Sequence, residues 1–268
     1  MKQTTPLNSG FTLIELIVVM VILGLVGVMG ADFIATGFKG FAATDDRIEL
    51  YEEGKTTLVR LEREIHGAVP NAVTLVSPTE LRIGMIDEVA MVPVFGSYLE
   101  SPPTTTLTDA FVPPPVSSAT AFLPVNTIIS VYNRNWTDFT TMTMAQRRLY
   151  TVTGLAAGTM TISKNMPPPR SSPRKRYYAV DRAIRYTLSG TDLLRSQFKI
   201  ANEADDINTQ LTAATQYPLT RNIVPGTFQF NYAPAALSRN GMVTVNFTLT
   251  RSTEQIDFHK EIHIKNVP

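Results

Sequence analysis

The sequence predicts an α+β fold in which one long N-terminal helix packs on an antiparallel β-sheet head. Two observations support this prediction. From Phe11 to Ala31 the chain is apolar with a single charge, and apolar residues then recur at helical spacing as far as about His66. After Pro70 the period of the apolar residues changes to two, which is typical of half-buried strands.

The apolar run from Phe11 to Ala31 is long enough to cross a membrane, since a helix needs about 20 apolar residues to span a bilayer core. A secretory signal would have a shorter apolar region followed by a small-residue cleavage site. Here Asp32 and more helix-like sequence follow instead. Lys2 before the run and Asp32 after it favour a cytoplasmic N-terminus and a periplasmic head.

Glu15 is the only charge within this run. A carboxylate at membrane depth costs about 2.5–3.5 kcal/mol on insertion scales, so a residue of this type usually has a partner or a function.

Helical periodicity continues beyond the apolar run, up to Gly67 and Pro70. The predicted apolar stripe consists of Ile34, Phe38, Phe41, Ile48, Tyr51, Leu58, Leu61 and Ile65, and charged residues that include Glu62, Arg63 and Glu64 fill the other positions. A helix over 11–66 would be roughly 84 Å long, which is too long for a compact domain. We therefore expect its second half to pack the stripe on a sheet.

The head, residues 67–268, is predicted to contain strands separated by exposed proline-rich loops. Candidate strands before the last third are Ala72–Val76, Glu80–Ile86, Thr127–Tyr132, Arg148–Val152 and Thr159–Ser163. Proline clusters lie at 102–103, 113–115 and 167–169. Neither an internal repeat nor a linker indicates a second domain.

The last third predicts a three-stranded antiparallel meander with one apolar face. Its apolar positions are Phe228, Phe230 and Tyr232, then Val243, Val245, Phe247 and Leu249, then Ile256, Phe258, Ile262 and Ile264. A turn at Asn240-Gly241 is predicted between the first two strands. We expect the apolar face to meet the helix stripe.

The residues from 10 to 15, Gly-Phe-Thr-Leu-Ile-Glu, resemble the processing motif of type IV prepilins and type II secretion pseudopilins. The resemblance implies a leader of residues 1–10, cleavage by a prepilin peptidase between Gly10 and Phe11, and N-methylation of Phe11. It also implies that Glu15 pairs with the Phe11 amine of a neighbouring subunit and sets the assembly register. Pairing with its own Phe11, one helical turn away, and a carboxylate that reaches the cytoplasmic edge are the alternatives.

Parts of the head extend this resemblance. The segments 176–181, 184–188, 193–195 and 222–232 resemble large minor pilins and J-type pseudopilins, and the ending 260–268 is similar to O-type minor pilins of the mannose-sensitive haemagglutinin pilus. The middle, about 93–166, shows no resemblance.

These resemblances imply a non-catalytic minor pilin of a type IV pilus. It would be a single-span protein of the inner membrane with a periplasmic head, displayed later on the pilus at the cell surface. The implied partners are other minor pilins, a major pilin, the prepilin peptidase and the inner-membrane assembly platform. The alternatives are a J-type minor pseudopilin of a type II secretion system, a filament-displayed adhesin or DNA receptor, and a membrane-tethered enzyme.

Composition and motifs favour a structural role over dedicated chemistry. The chain has no cysteine, which excludes disulfides and thiol catalysis, and its net charge of +1 gives no global field that would attract nucleic acid. The basic run Arg170–Arg176 precedes two tyrosines that could stack on single-stranded nucleic acid, but the balanced charge argues against a dedicated binder. No phosphate-binding loop or nucleophile elbow occurs, so we expect neither a cofactor nor catalytic residues.

Two acidic or histidine-containing segments are weak candidates for metal binding. Glu203, Asp205 and Asp206 offer oxygen ligands for calcium, but their spacing lacks the glycine and distal glutamate of an EF-hand loop, which favours a polar loop. His259 and His263 do not follow the zinc-protease order. On a strand both would share one polar face, which is expected to be solvated.

Overall fold

The computed structural model describes residues 11–87, 96–99, 106–109, 123–140, 143–156, 159–167, 172, 175–235 and 240–264. It shows a long N-terminal helix followed by an antiparallel β head, which confirms the predicted fold class. The proposed leader with Gly10, most of the proline clusters, the first part of the basic run and residues 265–268 lie outside the described residues.

Helix α1 runs without a break from Leu13 to His66. Thr12 caps its start, because the Thr12 Oγ1 accepts a hydrogen bond from the Glu15 N–H at 3.3 Å. At the other end the N–H of Gly67 donates to the carbonyl of Arg63 at 3.2 Å. Arg63 and His66 lie in the last turn, where positive charge suits the helix dipole.

The other described elements are antiparallel strands and two short helices. The strands are β1 Ala68–Ser77, β2 Glu80–Ile86, β3 Gly96–Leu99, β4 Thr106–Asp109, β5 Ile128–Val131, β6 Leu149–Ala156, β7 Thr159–Ile162, β8 Arg176–Ser189, β9 Asp192–Lys199, β10 Tyr217–Thr220, β11 Gln229–Ala233, β12 Met242–Arg251 and β13 Glu254–His263. The short helices are α2 Trp136–Thr140 and α3 Ile207–Ala213.

Strand β8 organises the larger sheet, since it pairs with β2, β3, β5 and β9. The periodicity of the sequence did not predict β8 as a strand. Four consecutive residues, Tyr177–Val180, are buried, so this part of the strand lacks the alternation on which the prediction depended.

Strands β11, β12 and β13 form a separate sheet in that order, which confirms the predicted meander. The predicted turn at Asn240-Gly241 is wrong. Ala233 pairs with Met242, so residues 234–241 join the two strands. A Cβ at Gly241 would lie 3.1 Å from the Cδ1 of Ile264 and 3.3 Å from the backbone N of Ala235, so a larger residue there would require its neighbours to shift.

The face of α1 that the head buries differs from the predicted stripe. It consists of Leu50, Gly54, Thr57, Leu61, Glu64 and Ile65. Ile48 and Tyr51 are 52% and 53% exposed, and Leu58 is only partly buried. The prediction counted apolar side chains alone, whereas the buried face passes through Gly54, where a Cβ would lie 2.1 Å from the Cζ of Phe258.

One core joins α1 to both sheets. Leu61 and Ile65 of α1 belong to the same buried cluster as Ile83 of the larger sheet and Phe230 and Val245 of the smaller one. A second cluster, which includes Phe139, Ile207 and Leu211, places α2 and α3 against the larger sheet. The part of the larger sheet around β2 and β8 is therefore covered on both faces.

Candidate functional site

The exposed N-terminal part of α1 is the first candidate site. Phe11 is 79% exposed and precedes the helix, and the exposed Glu15 lies in its first turn. Both groups thus lie at the same helix end, four positions apart.

The apolar run is long and hydrophobic enough to cross a membrane. An 18-residue window of α1 reaches a mean hydropathy of 2.7, and none of that window is buried. A core helix of comparable composition would be mostly covered by the rest of the chain. This part of the helix therefore needs a partner or a lipid environment outside the head.

Residues 6–31 match the family model described as the prokaryotic N-terminal methylation motif. The chain carries a type IV pilin-like prepilin signal. This signal supports a type IV pilin-like or pseudopilin-like protein that is processed by a prepilin peptidase, assembles with other pilins and is held in the inner membrane by its N-terminal helix. No curated protein and no solved structure gives a significant match to the chain.

The first calcium candidate, Glu203, ties its loop to the β6–β7 hairpin. Its Oε2 accepts hydrogen bonds from the N–H of Thr151 at 2.7 Å and from the hydroxyl of Ser163. The carboxylate is therefore already engaged within the head.

The other two candidates stabilise their own loop. Asp205 Oδ2 accepts from the N–H groups of Ala201 and Asn202, at 2.9 Å each. Asp206 Oδ1 accepts from the N–H of Thr209 at 3.2 Å and caps α3. These hydrogen bonds occupy one oxygen of each carboxylate and fix its orientation within the head. In the part of the chain that the structure describes, no group of three or more His, Cys, Asp or Glu residues is arranged to hold a metal.

The buried Arg147 donates hydrogen bonds to the same loop from the interior of the head. The sequence analysis did not single it out. Its Nη1 donates to the carbonyl oxygens of Glu203 and Asp205, and its Nη2 donates to that of Thr140 at 2.8 Å. Burial lowers the pKa of the Arg147 guanidinium, and the nearby acidic side chains oppose that effect. A buried cation thus already lies against the loop carbonyls.

His259, Glu261 and His263 lie on the exposed face of β13, whereas Phe258 and Ile262 face the core. This is the arrangement that the alternation predicted. His259 Nδ1 hydrogen-bonds to the Oδ1 of Asn246 on the neighbouring strand.

We expect His259→Ala and His263→Ala each to change the free energy of unfolding by about 0.5 kcal/mol or less, because exposed side chains without buried partners contribute little. Urea denaturation of both variants checks this. Loss of a bound metal from either variant, or a clearly larger destabilisation, would contradict the solvated-face interpretation.

A buried polar cluster joins α1 to the larger sheet. Tyr186 Oη donates to Glu64 Oε2, and Arg195 Nε donates to the same oxygen at 3.0 Å. Burial raises the pKa of Tyr186 well above its usual value, and the Glu64 charge adds to this effect. Burial alone would lower the pKa of Arg195, but the contact with Glu64 reverses the effect and raises it.

The position of Glu64 corrects the sequence analysis, which assigned it to the charged, exposed side of the helix. Leu61 and Thr57, which are both buried, lie three and seven residues before it, so it belongs to the buried face by helical geometry. Its burial is compatible with its charge because Arg195 and Tyr186 reach it from the sheet, and Arg60, one helical turn earlier, pairs with its other oxygen at 3.4 Å.

Exposed ion pairs fix the β12–β13 hairpin against α1. Arg251 pairs with Asp46 at 3.2 Å and also with Glu49, and Arg47 pairs with Glu254 at 3.2 Å. Exposed pairs of this kind contribute about 0–1 kcal/mol each. They lie just before Leu50, the first buried residue of α1, where the contacts between the helix and the head begin.

Proposed function

We propose that this chain is a minor pilin that assembles into, or initiates the assembly of, a type IV pilus similar to the mannose-sensitive haemagglutinin pilus. The observation that carries the proposal is the methylation motif at 6–31, placed directly before an exposed apolar helix that continues into a β head. The head, residues 67–268, is large for a repeating shaft subunit. This size favours a rare position near the tip or in an initiation complex.

In this proposal the prepilin peptidase cuts between Gly10 and Phe11, and Phe11 is then N-methylated. The apolar half of α1 holds the subunit in the inner membrane, with the head in the periplasm. During assembly the same half transfers into the filament core among similar helices, and the head reaches the cell surface. Other minor pilins, a major pilin and the inner-membrane assembly platform are the proposed partners.

Glu15 and the Phe11 ammonium have complementary roles in this transfer. Each charge alone is costly in apolar surroundings, and pairing offsets much of the free-energy cost of desolvating the two groups. Pairing between neighbouring subunits would fix the axial register of their helices. The role is structural and involves no bond-making by the head.

A J-type minor pseudopilin of a type II secretion system is the second candidate, because the methylation motif is common to pilins and pseudopilins. A gene deletion separates the two functions. Our proposal expects loss of surface pili with secretion unchanged, and loss of secretion with normal piliation would favour the pseudopilin.

Glu15→Ala is expected to preserve membrane insertion and to reduce incorporation beside partner subunits by at least about tenfold. Insertion no longer carries the charge penalty, whereas a neighbouring ammonium loses its counter-ion in apolar surroundings, which costs several kcal/mol. Quantitative immunoblots of membranes and of sheared filaments or initiation complexes measure both effects.

Glu261→Ala, on the exposed face of β13, is the matched control because it also removes one carboxylate. Equal recovery of wild type, Glu15→Ala and Glu261→Ala in the assembled fraction would show that the proposed pairing is unimportant.

A further inference from the structure

An open groove lies between α3 and β2 on the face of the larger sheet that α1 leaves uncovered. Its volume is about 410 Å³, and its lining residues are Arg82, Asn208, Thr209, Thr212 and Ala213. Sites for small molecules usually occupy about 300–1,000 Å³. None of these residues takes part in the interactions proposed for assembly.

The amide of Asn208 is held in one orientation at this groove. Its Oδ1 accepts hydrogen bonds from Arg82 Nη1 and from Trp136 Nε1, both at 3.1 Å. Neither group can accept a hydrogen bond, so the atom that faces them must be the oxygen. Among the described residues none accepts a hydrogen bond from the Asn208 Nδ2, which leaves two oriented N–H groups for a ligand.

Arg82, which lines the groove, belongs to an ion-pair cluster with Glu80 and Arg185. Arg82 Nε and Arg185 Nη2 both donate to the Glu80 carboxylate, at 2.7 Å and 2.8 Å. Burial opposes ionisation of Glu80, but the hydrogen bonds from Arg185 and Arg82 outweigh burial and lower its pKa. Two guanidinium groups therefore share one carboxylate, and Arg82 keeps donors beyond those that Glu80 and Asn208 occupy.

The backbone at the start of α3 does not contribute to this arrangement. The N–H of Thr209 is already bonded to Asp206. The Thr212 hydroxyl donates to the carbonyl of Asn208 at 2.9 Å, which directs its remaining acceptor capacity outward. The groove thus offers a cation and an amide donor at one side, and short side chains with hydroxyl and methyl groups at the other.

We propose that this groove binds a small carboxylate-bearing saccharide. The carboxylate would accept hydrogen bonds from Asn208 Nδ2 and Arg82, because charged donors prefer ionised oxygens. The sugar ring, which has both hydroxyl and C–H surfaces, would lie along Thr212 and Ala213. This binding activity is independent of the proposed assembly role.

The test uses the full chain in detergent and methyl β-D-glucuronide as the probe, observed by saturation-transfer NMR. Wild type should give a saturable signal for the glucuronide. Its affinity for the glucuronide should be at least about tenfold higher than its affinity for methyl β-D-glucoside, which lacks the carboxylate. The decisive variant is Asn208→Asp. It keeps an acceptor for Arg82 and Trp136 but replaces the amide donor with a negative charge, so glucuronide affinity should fall at least about tenfold.

Asn231→Asp is the control, because it adds the same charge at an exposed position of β11 in the other sheet. It should bind the glucuronide as wild type does. Absence of saturable binding, equal affinity for the glucoside, or unchanged binding in Asn208→Asp would each overturn the proposal. Complete displacement of the glucuronide by an equal concentration of acetate would overturn the saccharide assignment.

Discussion

Glu64→Ala is expected to lower the free energy of unfolding by about 3–5 kcal/mol, because it removes one partner from a buried ion pair. The variant leaves the Arg195 guanidinium and the Tyr186 hydroxyl without the carboxylate that accepts from both. Urea denaturation of the full chain in detergent measures the loss. The single tryptophan, Trp136, lies in the head and reports its unfolding by fluorescence.

Glu62→Ala is the matched control for this experiment. Glu62 lies two residues earlier on the same helix and pairs with Lys260 at 3.3 Å, but its side chain is 35% exposed. We expect a loss of no more than about 1 kcal/mol, as for other exposed pairs. Similar losses in both variants would mean that Glu64 is not the acceptor that joins α1 to the sheet.

Leu61→Ala is expected to lower the free energy of unfolding by about 2–5 kcal/mol, since Leu61 is fully buried between α1 and both sheets. Ile48→Ala removes an apolar side chain of the same helix that is half exposed, and it should cost about 0.5 kcal/mol or less. The same denaturation measurement compares the two.

This pair of variants also distinguishes the two assignments of the helix face. The stripe predicted from periodicity places both residues against the sheet and expects two large losses. The structure predicts one large loss and one small one. A large loss from Ile48→Ala would contradict the observed face.

The two helix faces show where sequence periodicity succeeds and where it fails. Leu61 and Ile65 are apolar, regularly spaced and buried, and the pattern identified them. Gly54 is buried because the ring of Phe258 fills the place of a side chain, and periodicity of apolar residues cannot register a missing side chain. Glu64 is buried because Tyr186 and Arg195, more than a hundred positions away, supply two of its partners in the sheet, which the neighbouring Arg60 alone does not reveal.

Among the strands as well, periodicity identified those with one polar face and missed one that is buried on both faces. The bounds of β2 were predicted as Glu80–Ile86 and are the same in the structure. The meander was predicted because each of its strands has one polar and one apolar face. Strand β8 is buried on both faces along Tyr177–Val180. Its sequence therefore alternates too little to be distinguished from other apolar runs.

The two candidate sites also differ in how much of each could be predicted from the sequence. The N-terminal motif is local in sequence, and residues 10–15 were sufficient to identify it. The groove at Asn208 brings together Arg82, Trp136 and Asn208 from three distant segments. Only the packing of α2 and α3 on the larger sheet creates this arrangement, and the sequence predicted neither helix.

Mass spectrometry of the N-terminus tests the central claim most directly. Protein purified from its native membrane, in cells with an active prepilin peptidase, should begin at an N-methylated Phe11. Replacing Gly10 with leucine should leave the leader attached, because the peptidase must approach the backbone closely at that position. An intact Met1 start in the wild-type protein would contradict the assignment to the pilin-like class.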